Sequence, residues 1–169
     1  MTTFRLRLPQ RQARLISLAV GYHLARPGSE IDRETMGEYA HGLREVQPLL
    51  DAQLEETAAE IDLNPVQAVL LSTAFSSVLS ELKMYSVFDT MAGDSRRPRS
   101  TAPGFDDRLR SLFPEVTGDA SYATVLAEEM TLLRRELPSA RAREVIEAER
   151  RAAEEARRRR RWWQVWRRA

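Results

Sequence analysis

Apolar residues recur along this chain at intervals of three and four, the spacing that gathers side chains onto one side of an α-helix. Leu15, Ile16, Ala19, Val20 and Leu24 give a first helix a broad apolar face. Pro9 opens it, it runs to about Ala25, and Pro27-Gly28 ends it. Ahead of it, Phe4, Leu6 and Leu8 alternate with Arg5 and Arg7, which predicts a short strand or an extended lead-in. Ser29 and Asp32 form a variant capping box for a second helix. Its apolar face is Tyr39, Leu43, Val46, Leu50, Leu54, Ala58 and Ile61, so it is predicted to run to about Ile61. Pro48 lacks the N–H that bonds back one turn, so this helix must kink or split there.

Asn64-Pro65 is the clearest start signal: an N-cap residue followed by proline at the first helical position. The third helix, to about Phe88, is apolar on most sides and is expected at the centre of the fold. Val69, Leu70, Val78, Leu79 and Leu82 are its predicted core residues. Ala68, Ser72, Ser76 and Ser80 lie four apart and form a stripe of small side chains. Such a stripe lets another backbone approach closely, at a helix crossing inside the fold or at a homodimer seam.

Residues 89–104 have no helical pattern and read as a long loop rich in Gly, Pro and Ser. Asp106 to Phe113 forms a short helix stopped by Pro114. Asp119 can cap a fifth helix from Ala120 to Leu137, with Tyr122, Leu126, Met130, Leu133 and Leu137 inward. Ser139 can cap a last helix of a different kind. After Val145 and Ile146 its only small apolar groups are alanines, while Glu147 with Arg151, Arg150 with Glu154 and Glu155 with Arg159 fall at i, i+4. Each such pair contributes ~0.2–0.5 kcal/mol, enough together to support a solvated helix. The expected fold class is therefore all-α. A helical bundle of about five helices, one Pro-kinked or split, occupies 1–138, and 139–169 is a long charged C-terminal helical arm.

Composition narrows the function classes. The 169 residues contain no cysteine, which removes disulfides, thiolate metal sites and a cysteine nucleophile. Lysine and asparagine occur once each, at Lys83 and Asn64, as a GC-rich genome would give. No secretory leader is evident, and no run approaches the ~18 apolar residues of a membrane span. The expected location is cytoplasmic, with any membrane met at its inner face only. Charge is split along the chain. Residues 157–169 hold seven arginines and no acid; removing them from the whole-chain charge of +1 leaves −6 on residues 1–156.

Candidate chemistry is sparse. Glu38 and His41 have the Glu-x-x-His spacing that helical di-iron proteins use twice, together with two further glutamates. Here it occurs once, and His41 can equally pair with Glu38 or Glu45 on a wet face. Two ligands leave a transition ion half coordinated, so no metal and no cofactor is expected. No P-loop, Gly-x-Ser-x-Gly or Gly-x-Gly-x-x-Gly occurs. Arg96, Arg97 and Arg99 in the long loop could hold an anion; a solvated loop is the simpler reading.

The most distinctive segment is the C-terminal tip: Arg157, Arg158, Arg159, Arg160, Arg161, Trp162, Trp163, Gln164, Val165, Trp166, Arg167, Arg168. All three tryptophans of the chain are here. Arginines attract anionic headgroups and indoles settle at the interface, so the tip suits a membrane surface. Arg and Trp also dominate protein hot spots, so it suits an acidic protein partner or a neighbouring copy. Nucleic acid is a third reading, opposed by the acidic remainder. The sequence thus points to a non-catalytic, bacterial-type cytosolic interaction protein, with protein partners or a homo-oligomer expected. A helical-bundle enzyme with an unrecognised site is the alternative from another class.

Overall fold

Phe4 and Leu8 face inward and Arg5 and Arg7 outward, and the lead-in is a true strand, β1 (Phe4–Pro9). In the computed structural model, which describes residues 2–26, 42–91, 100, 102–119 and 121–166, it pairs antiparallel with β2 (Ala58–Leu63). Phe4 faces Leu63, Leu6 faces Ile61 and Leu8 faces Ala59 on the inner side. On the outer side Arg5 faces Asp62 and Arg7 faces Glu60. Arg5 makes a two-pronged contact with Asp62, at 2.9 and 3.1 Å. Exposed pairs of this kind contribute little energy. They oppose slippage, however, because a shift by one residue would turn the apolar set outward.

The predicted second helix therefore does not reach Ile61. Gly42 to Glu45 form a turn, α2 (Val46–Asp51) is six residues long, and Ala58 and Ile61 belong to β2. Two periodicities overlap in this stretch. The helical series through Leu54, Ala58 and Ile61 competes with the alternation of Ala59, Ile61 and Leu63, all buried. Pairing with β1 satisfies the backbone of the second pattern, and the strand prevails. Pro48 sits in the first turn of α2, where a missing N–H costs nothing. Gln53 then ties the connection to the strand: its amide donates to Glu60 O and accepts from Glu60 N.

The remaining elements are α1 (Gln10–Ala25), α3 (Pro65–Met91), α4 (Phe105–Leu112), α5 (Glu115–Gly118), α6 (Tyr122–Glu136) and α7 (Ser139–Trp166). Among the described residues the chain is thus mostly helical with one small two-stranded sheet. Asn64 caps α3 as expected and Gln67 completes a reciprocal box. Gln67 N–H donates to Asn64 Oδ1 at 2.8 Å, and Asn64 N–H to Gln67 Oε1 at 2.9 Å. Asp119 Oδ1 accepts from the Ser121 N–H just before α6. For α7 the cap position falls on Pro138, whose carbonyl takes the Ala142 N–H, one residue ahead of the expected Ser139. Gly104, at φ +75°, supplies the left-handed turn into α4.

The centre is shared between two helices. On α3, Ala68, Leu71, Ala74, Phe75, Val78, Leu79 and Leu82 are buried, whereas Val69 and Leu70 are only partly so. On α1 every residue from Leu15 to Val20 is buried. The two run antiparallel: Arg26 bonds to Ser77, and Tyr22 donates to Glu81 at 3.0 Å. Helices α6 and α7 pack on α3, while α2, α4 and the sheet pack on α1. No unbroken apolar run exists, yet Pro65–Tyr85 reaches the length and mean hydropathy (1.2) of a candidate membrane span. Half of it is buried inside the fold, and a central helix of a packed domain meets the same criterion.

One polar staple crosses this core. Arg108 of α4 donates to Asp51 at 2.8 and 3.2 Å and to the buried Ser17 hydroxyl at 2.7 Å. Ser17 donates on to Asp51 at 2.8 Å, so three helices meet at one carboxylate. The arginine reaches it by lying across Gly21, where an added β-carbon would sit 2.5 Å from Nε and 2.7 Å from Cδ. Gly21→Ala is therefore expected to destabilise by ~1–2 kcal/mol, although alanine is the better helix former by ~1 kcal/mol. Leu82→Ala is expected to cost ~2–5 kcal/mol, because it empties a wholly buried position. Urea unfolding followed by circular dichroism measures both.

Candidate functional site

Helix α7 joins the fold by its first two turns only. Ala142 is buried, and Val145 packs partly against the core beside α3. Every residue over 147–160 is exposed. The composition explains this, since the segment offers no apolar side chain larger than alanine to a core. Arg151 bonds to Glu147 at 3.4 Å, one of the i, i+4 pairs read from the sequence. Arg157, Arg158, Arg159 and Arg160 are exposed, and Arg161, Trp162, Trp163, Val165 and Trp166 continue the same helix. Arg167 and Arg168 lie outside the described residues. At 1.5 Å per residue, Trp162 to Trp166 stand ~35–41 Å along the axis from Ser139.

The small stripe on α3 is graded. Ala68 is buried, Ser72 is half-buried, and Ser76 and Ser80 are exposed. The Ser76 and Ser80 hydroxyls bond back to carbonyls one turn earlier, and Arg134 of α6 donates to Ser76 at 2.8 Å. The loop arginines Arg96, Arg97 and Arg99 lie outside the described residues, as do Glu38 and His41. Among the described residues, no group of three or more His, Asp or Glu side chains is placed to hold a metal ion. His23 is buried near the end of α1.

A second polar cluster surrounds Arg11 on α1, which the sequence reading did not single out. Its guanidinium donates to Glu129 at 2.8 and 3.1 Å and to the Tyr122 hydroxyl at 2.6 Å. It also lies over the rings of Phe113 and Tyr122, 5.8 and 5.7 Å from their centroids. The bonds to Glu129 hold its pKa above the usual arginine value, against the opposing effect of partial burial, and Tyr122 adds to the rise. On the sheet, the hydrogen bond from Arg5 holds the Asp62 carboxyl below its usual range. Arg11 is thus spent on protein partners and ties α1 to α6. The signal for it was present in the sequence only as one more charged residue on an amphipathic helix.

Surface clefts are shallow and mixed in character. One of about 160 Å³ lies between Arg11, Arg14 and Phe113; two others, of about 370 and 450 Å³, flank α6. The buried polar side chains among the described residues are Ser17, His23 and Gln67. Ser17 belongs to the Arg108 staple, and Gln67 spans the cap and the Gly42 carbonyl. No family model, curated protein or solved structure matches the chain.

The attachment of α7 has a measurable consequence. A chain ending after residue 149 keeps Ala142 and Val145 and is expected to melt as the full chain does. A chain ending after residue 138 loses their burial and is expected to be less stable by ~1–3 kcal/mol. Scanning calorimetry of the two truncations checks this.

Proposed function

We propose that this chain is a non-catalytic interaction and assembly protein whose C-terminal helix attaches it to an anionic membrane surface. The observation that carries the reading is the unbroken exposure of 147–160 within a helix that continues to Trp166. Such a helix is a spacer, and residues 157–168 concentrate seven arginines and three tryptophans. Arginines draw the tip to anionic headgroups and indoles anchor it at the interface, while the acidic remainder is held away. A short tip binds weakly by itself, so assembly of several copies strengthens attachment. The setting is the cytoplasm, at the inner face of the membrane.

An acidic protein surface is the second reading, favoured by the same separation of charge between the tip and the −6 of residues 1–156. A catalytic role draws less support. The core is mainly Leu, Ala, Val, Phe and Ile, and two of the three buried polar side chains among the described residues, Ser17 and Gln67, are engaged in structural bonds.

Co-sedimentation with vesicles tests the membrane reading. Vesicles containing anionic lipid are expected to pull down the full chain, and neutral vesicles to do so poorly. Raised salt should weaken binding as the Debye length falls to ~3 Å at 1 M. Changing Trp162, Trp163 and Trp166 together to alanine should abolish binding with every charge retained. Tryptophan emission should shift to the blue on anionic vesicles, all indoles being at the tip. Emission that lipid leaves unchanged but an acidic protein shifts would replace the membrane by the protein partner. Single-stranded RNA and DNA serve as controls for a general polyanion effect.

A further inference from the structure

The outward face of α6 exposes two large apolar side chains, Val125 (42%) and Leu132 (59%). Val125, Glu128, Leu132 and Arg135 follow one another by three or four residues, so they form one stripe, and all four are exposed. A lone exposed leucine needs no explanation. Here the exposed leucine is bordered by two open clefts, about 450 Å³ on the side of Lys83, Ala127 and Glu128 and about 370 Å³ on the side of Pro9 and Glu129.

The charges on this stripe have a particular symmetry. Glu128 lies on one side of the midpoint between Thr131 and Leu132, and Arg135 lies equally far on the other. Two copies of α6 laid antiparallel about that midpoint would therefore bring Glu128 of each against Arg135 of the other. Leu132 of each copy would meet its counterpart near the axis and fill the cleft beside Ala127. A two-fold contact needs a patch that complements itself, and this stripe does so through Glu128, Arg135 and Leu132. A parallel arrangement would instead set like charges side by side.

We infer that α6 is the homodimer seam of this protein, the occupant of its exposed stripe being α6 of a second copy. Two interchain Glu128–Arg135 pairs close around a Leu132 centre. The seam is separate from the tip of α7. A dimer built on it carries two tips, which supplies the assembly that weak attachment requires.

Light scattering after size exclusion, at about 100 μM full-length chain, tests the seam; a dimer of micromolar Kd is then nearly fully formed. The wild type is expected to run as a dimer and Leu132→Asp as a monomer. Glu128→Arg alone, or Arg135→Glu alone, should weaken the dimer by about 10-fold or more, because each sets like charges together. The double exchange, Glu128→Arg with Arg135→Glu, should recover the wild-type mass. A monomeric wild type, a dimeric Leu132→Asp, or a double exchange no better than its parents would each overturn the seam. All of these positions are exposed, so far-ultraviolet circular dichroism should be unchanged across the series. The Trp162, Trp163 and Trp166 alanine variant should stay dimeric while losing vesicle binding. Its loss of dimer would place self-association at the tip and also overturn the seam.

Discussion

The pairing of β1 with β2 is the constraint on which the remaining architecture depends. β1 passes directly into α1, and β2 reaches α3 through Asn64 alone. The two-stranded ribbon therefore fixes where both central helices begin. Its register is set by a simple rule: Phe4, Leu8, Ala59, Ile61 and Leu63 must be inside, and two arginines then meet two acids outside. Two strands alone are marginal in water. The ribbon persists because α1 covers its apolar face, and α1 is positioned by the ribbon in turn. Local and tertiary order are thus inseparable in this part of the chain.

Arginine does the work of cross-linking in a protein with a single lysine. Arg108 gathers α1, α2 and α4 at Asp51, and Arg11 joins α1 to α6 through Glu129 and Tyr122. A planar guanidinium can serve two or three acceptors at once and still lie flat on an aromatic ring or a helix backbone. Gly21 shows how close that approach is. The same residue type, repeated after Glu154 and Glu155 with no further acid, is exposed at Arg157 to Arg160.

Much of the helical framework was legible in the sequence. Asn64-Pro65 located the start of α3, Pro9 preceded α1, and the series through Leu126, Met130 and Leu133 gave the buried side of α6. The long helix from Ser139 was legible from its i, i+4 charges. The strand at 58–63 was not, because Leu54, Ala58 and Ile61 satisfy a helical period as well as a strand period, and only the distant β1 decides between them. The clue was available in two places: Arg5 and Arg7 alternate, and so do Glu60 and Asp62. The centrality of α1 was also underrated, since Ser17, Tyr22 and His23 look polar in a list and are buried by their partners. For α7 the composition also indicated that little beyond Val145 and Ile146 could enter a core, and 147–160 are exposed throughout. The Arg11 and Arg108 clusters join residues 34 to 118 positions apart, and no local pattern announces such meetings.

The exposure of α7 has a consequence for how its surroundings act on it. A buried helix takes its stiffness from packing, which dissolved ions scarcely touch. This one takes it from pairs such as Glu147 with Arg151, set in open water. Ions that screen the arginines at its end also weaken the pairs along its length. The stiffness of the helix and the range of its charge are therefore governed by one variable, ionic strength, and both are greatest in dilute salt.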